Sequence, residues 1–89
     1  MDATKFEAQL RTEGYTEIET KTIEARPANG EHGHHFAVRG LVLDGAFIVH
    51  MDGHPTTYRP GDIFAVAQAH PHCEETGPDG ARVLFGRKY

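Results

Sequence analysis

The chain is poor in cysteine, poor in positive charge and without a long apolar run, and each shortage excludes something. Its one cysteine, Cys73, leaves no internal disulfide framework and no cysteine-based zinc cluster. Nine Lys and Arg stand against thirteen Asp and Glu, a net charge of −4 and a pI of about 5.9. No general attraction to nucleic acid or to an anionic membrane surface follows from that balance. No stretch approaches the roughly 18 apolar residues of a membrane span. Met1 to Glu24 is charged throughout and has no hydrophobic signal core. The expected address is therefore the cytoplasm, with neither nucleic acid nor membrane as partner. No Ser-His-Asp order, phosphate-cradling glycine loop, linker or internal repeat is present.

The chain has 89 residues, 38% of them hydrophobic and 25% charged, the profile of one small globular domain. A chain this short buries somewhat over about 60% of its unfolded surface, so its core is modest. Ten glycines and five prolines imply short elements joined by turns. Seven histidines point to chemistry, because histidine is the commonest metal ligand and the usual acid or base near neutrality.

Residues 1–14 read as a short helix with its lead-in, and 15–89 as one β domain. Thr4 to Glu7 has the pattern of a capping box. Phe6 and Leu10 share a face, Glu7 and Arg11 can pair, and Gly14 supplies a stop. So short a helix needs something larger to dock on. Thr16–Glu24 alternates with period two and is rich in β-branched residues, as a strand is. Pro27–Gly30, Asp44-Gly45, Asp52-Gly53, Arg59–Asp62 and Gly77–Gly80 read as turns. Between them lie strands over 32–43, 46–51, 56–58, 63–66, 72–76 and 81–85. About seven short strands without intervening helices predict an antiparallel sandwich or barrel. In the strand 46–51 both faces are mostly apolar, so one of them must be covered by a partner subunit or by the N-terminal helix. The Arg82, Arg87, Lys88 cluster reads as a solvated basic end.

His32 and His34 are two apart. On a strand they face the same way, roughly 6.5–7 Å apart, and can converge on one metal ion. His72 can complete a three-histidine site. Three imidazoles suit Zn, Fe, Ni, Mn or Cu and leave positions open for water or substrate. Glu74, two residues after His72, is the candidate acid on the same face, whereas Glu75 faces away. His70 can lie at the pocket mouth. His50, Tyr58 and Arg39 are further candidates for the pocket or an interface. His35 and His54 are expected outside, and Cys73 is expected to point away from His72.

These residues resemble two motifs of the cupin superfamily. The first is His-x-His with a turn glycine thirteen residues after the first histidine, matched by His32, His34 and Gly45. The second runs from a glycine to a histidine eleven residues later, matched by Gly61 and His72. The Tyr58–Asp62 lead-in is similar as well. The motifs cover residues 32–76, and the strand pattern agrees over Thr16–Phe85. Val38 stands where the family has its glutamate, Ala67 and Ala69 stand for the second motif's proline and glycine, and Thr76 for its last polar residue. The resemblance implies an all-β, antiparallel jelly-roll barrel with a short N-terminal helix, a bound divalent metal ion and a homodimer.

On that resemblance, His32, His34 and His72 are the expected metal ligands, and Val38 makes the pocket one charge less negative. A divalent ion on three neutral histidines then favours an anionic small ligand, unless Glu74 supplies the anion. The functions in view are a small-molecule enzyme such as an oxygenase or isomerase, a non-catalytic module that senses a small ligand in the barrel cavity, and a metal site that only staples the fold.

Overall fold

The computed structural model describes residues 2–28 and 30–89, so Asn29 of the expected Pro27–Gly30 turn lies outside the described residues. Helix α1 spans Ala3–Thr12. Five strands follow: β1 Thr16–Ile23, β2 Ala37–Met51, β3 His54–Tyr58, β4 Ile63–Val66 and β5 Cys73–Lys88. All pairings are antiparallel, in the order β1-β5-β2-β3. The second edge of β2 is shared, by β4 at Val38–Leu41 and by β3 at Phe47–Met51. The sheet folds over on itself in jelly-roll manner.

Five strands replace the expected seven because two expected turns are bends inside long strands. Asp44-Gly45 lies within β2, where the register with β5 shifts on both sides of the pair. Such a bulge bends a strand without ending it. A Cβ on Gly45 would stand 2.1 Å from the Gly80 carbonyl oxygen, and one on Gly80 would stand 2.4 Å from that of Ile23. The two glycines thus let three strands meet closely at the bend, and Gly77–Gly80 stays within β5. Asp52-Gly53 does form the expected hairpin. Both residues have positive φ, 53° and 77°, as a two-residue turn between twisted strands requires.

The helix starts differently from the expectation. Asp2, not Thr4, is the cap, and its carboxylate accepts from the Lys5 backbone N–H at 2.8 Å. Glu7 is then free to pair with Arg11, at 2.9 Å. Phe6 and Leu10 are fully buried against Leu41 and Leu84. Arg39 is not a pocket residue: it bonds Glu13 at 2.6 Å and lies over the Phe6 ring, pinning α1 to β2. The helix therefore covers the Leu41/Leu84 face of the sheet. The opposite face carries the second cluster, with Val42, Phe47, Val49, Phe64, Val66 and Val83. Leu41 and Val42 serve opposite clusters, as do Val83 and Leu84, which is the period-two rule of a strand packed on both sides.

Candidate metal centre and ligand cavity

Backbone pairing brings the three histidines together. His32 and His72 form an isolated antiparallel bridge, exchanging N–H···O bonds of 2.9 and 2.8 Å. His34 is held one step along, where its carbonyl accepts from Ala69 N–H at 2.7 Å. His32 and His34 precede β2, so their convergence comes from these bonds to the 69–72 segment rather than from a continuous strand. The ring centroids are 4.4 Å apart for His32–His72, 4.9 Å for His32–His34 and 5.4 Å for His34–His72. One nitrogen from each ring lies within 4.8 Å of the others. Metal–nitrogen bonds of about 2.0–2.1 Å set tetrahedral ligands about 3.4 Å apart, so the rings need close by about 1.5 Å or less.

The tautomers suit a metal. His32 Nδ1 lies 3.0 Å from the Gly30 carbonyl, and His72 Nδ1 lies 3.0 Å from the His70 carbonyl. A carbonyl only accepts, so both Nδ1 atoms carry the proton. Each Nε2 is left with a lone pair for a metal, in the way second partners orient metal-binding histidines. Burial first, then the neighbouring His32 and His72, hold the His34 imidazole below its usual pKa of 6.5. Both effects favour its neutral form, the one with a lone pair to offer a metal. The donor set fits a divalent ion.

Glu74 faces the site as its parity predicts, opposite Val49 on β2. Its carboxylate lies 3.7 Å from His72 Nε2, 3.9 Å from His32 Nε2 and 3.9 Å from Arg26. Glu75 faces the other way and bonds His50 at 2.5 Å. That pair corrects the reading of His50 as a pocket candidate, since His50 shares the outer face with Glu75. Tyr58 packs beside the Phe64 ring, 5.9 Å between centroids, as part of the core. His70 contributes its carbonyl to His72, while its ring approaches Asp52 at 3.3 Å. Neither Tyr58 nor His70 is among the described residues that line the cavity. His35 and His54 are exposed as expected.

The histidines open onto a cavity of about 180 Å³. Part of its wall is apolar, formed by Phe36, Val38, Phe47, Phe64, Val83 and Phe85. Phe36 stacks on His34, with 4.7 Å between ring centres and 8° between planes, and fixes that imidazole's orientation. Lys21, Arg26 and Arg87 also line the cavity. Sequence reading missed these three cations. Period-two counting from Val83 through Phe85 turns Arg87 inward, and counting back from Ile23 turns Lys21 inward, so the signal was present in the strand pattern. Of the supposed basic end, Arg82 does lie outside, bonded to Asp44 at 2.7 Å.

No family model matches the sequence, and no curated protein matches it. Solved structures do. A protein of unknown function from Rhizobium leguminosarum superposes with a TM-score of 0.73 at 18% identity, over 80% of this chain and 67% of that one. An RmlC-like cupin from Shewanella frigidimarina gives 0.68 at 21% identity, over 80% of this chain and 63% of that one. The chain has the cupin fold. A third similar structure, the DMSP lyase DddQ of Ruegeria pomeroyi, has a TM-score of 0.70 at 23% identity, over 81% of this chain but only 37% of the lyase. This cupin domain thus spans about two thirds or less of these relatives. Among its described residues no helix is long and apolar enough to cross a membrane.

Proposed function

We propose that this cupin domain binds one divalent metal ion through Nε2 of His32 and His72 and a ring nitrogen of His34, and that the ion is open to a small anionic ligand in the adjoining cavity. The observation that carries this reading is the pair of Nδ1–H···O=C bonds from His32 and His72, which leave both Nε2 atoms free of a proton and within 4 Å of the Glu74 carboxylate. A divalent ion there supplies Lewis acidity toward a bound oxygen. The chain's own residues do the rest. The phenylalanines offer an apolar surface to the ligand's body, Phe36 holds His34, and Glu74 can accept or return a proton at its carboxylate. A small-molecule oxygenase, isomerase or similar enzyme fits this arrangement. One similar structure is named a lyase, but this chain spans only 37% of it, and a shared fold by itself transfers no activity. The alternative is a non-catalytic module that senses the ligand, favoured by the presence of only one carboxylate among the described residues lining the cavity.

The test is elemental analysis after equilibration with zinc and removal of the excess. The wild-type chain should retain one ion, and the double variant His34→Ala/His72→Ala should retain none. Full occupancy in the double variant would overturn the ligand assignment.

A further inference from the structure

The cavity's charge is the reverse of the protein's. Among the described residues, three of the nine Lys and Arg line it, against one of the thirteen Asp and Glu. The one acid, Glu74, lies near Arg26, at 3.9 Å. Lys21 and Arg87 remain. Lys21 has no ion-pair partner among the described residues. The one acid that Arg87 meets among the described residues is the half-exposed Glu17, at the long distance of 3.9 Å. Its guanidinium is instead laid over the rings of Phe36 and Phe85, at 5.4 and 5.1 Å from their centres. Packing of this kind orders the side chain while leaving its N–H fork to donate. Across the sheet, the residue paired with Arg87 on β2 is Val38, so no acid from that strand neutralises it.

Lys21 pairs in register with Val83, four residues before Arg87 on the same face of β5. The two Cα atoms are about 14 Å apart by strand geometry. That separation lets two long cationic side chains share one carboxylate above Phe85. Away from these two cations, the histidines, Arg26 and Glu74, the wall is aromatic or aliphatic. An apolar cavity of about 150 Å³ accommodates benzene, and this one measures about 180 Å³.

We propose that Lys21 and Arg87 form a carboxylate subsite, and that the ligand is a compact organic acid with an apolar, ring-sized body: its carboxylate on these two cations, its body among the phenylalanines. The inference rests on the reading of this cavity as the ligand site, but not on the metal. Bidentate guanidinium–carboxylate bonds are among the strong charge-assisted ones.

Benzoate is the probe, with benzyl alcohol as its neutral counterpart. Both are titrated calorimetrically into zinc-loaded and zinc-free protein. The wild-type protein should bind benzoate at least about tenfold more tightly than benzyl alcohol, as loss of a charged hydrogen bond implies. Lys21→Met/Arg87→Met should lose about fivefold or more in benzoate affinity while its zinc content stays that of the wild type. The exposed Lys21→Met variant is read alone if the double variant does not fold, with a loss of about twofold or more expected. Smaller losses, equal affinity for the alcohol, or no benzoate binding by the wild type would overturn the proposal. A wild-type chain that takes up no zinc defeats the metal reading instead. The zinc-free titration then still decides the subsite.

Discussion

Gly40 offers a test in which two effects predict opposite signs. It lies on β2 between Phe64 of β4 and Phe85 of β5. A Cβ there would stand 2.2 Å from Cζ of Phe64 and 2.5 Å from Cε1. The ring can give way only at the cost of its packing or by moving into the cavity it lines. Phe64 is 4% exposed and packs on Phe47, 4.9 Å between centroids. Where a new methyl fits, Gly→Ala stabilises by about 0.4–1 kcal/mol through the unfolded chain. Overpacking a core costs about 1–3 kcal/mol. The difference is a net loss of up to about 2.5 kcal/mol, and the depth of the overlap places Gly40→Ala in the upper half of that range. For a domain of this size the melting temperature then falls by about 5–20 °C. Urea unfolding reads the loss as a lower midpoint at unchanged slope. Phe64→Leu should relieve part of it, giving a favourable coupling in the double-mutant cycle. Gly30→Ala, with no atom within 4 Å of the added Cβ, is the open control and should be neutral or slightly stabilising. Because Phe64 lines the cavity, the displaced ring should also weaken benzoate without changing zinc content. Gly40→Ala at or above wild-type stability would refute the packing argument.

Val38→Glu sets a carboxylate opposite Arg87, so zinc affinity should rise and benzoate affinity fall; the reverse pattern, by calorimetry, refutes the charge reading. Glu74→Gln should weaken zinc by about tenfold or more, the usual cost of losing a carboxylate at or beside a metal site, and unchanged affinity would show that Glu74 takes no part. Ala69 has φ of 63°, which costs a residue with a Cβ about 1–2 kcal/mol; Ala69→Gly should therefore stabilise by about 0.5–1 kcal/mol after the entropy of the new glycine, and a lower urea midpoint counts against it. His34 has its pKa held below 6.5, so the unfolded chain binds this proton first as pH falls. The metal-free protein should lose stability as pH drops through about 6.5, His34→Gln should flatten that part of the profile, and identical profiles would refute the assignment.

Local patterns carried much of this molecule. The alternation of Thr16–Ile23, the Asp52-Gly53 hairpin and the Phe6/Leu10 stripe were legible because a turn's dihedrals and a face's periodicity are properties of a few adjacent residues. The spacing of His32, His34 and His72, with the motif glycines, indicated both the fold and the cluster. Features that depend on distant parts of the chain, or on a choice between equivalent neighbours, were not legible. Asp44-Gly45 and Gly77–Gly80 have turn chemistry, but whether such a pair reverses the chain or only bends it depends on what lies across the sheet, here the carbonyls of Gly80 and Ile23. The cap moved from Thr4 to Asp2 because either residue can accept a first-turn N–H. Glu74 was legible from its parity with His72, but His50 left the site through the register of β2 on β5, a long-range pairing that sets which side chains share a face. Lys21 on β1, Arg26 beyond it and Arg87 on β5 are far apart in sequence. They became one cationic wall only when antiparallel pairing set β1 beside β5, because charge along a chain is local whereas the field inside a cavity is the sum over every strand that encloses it.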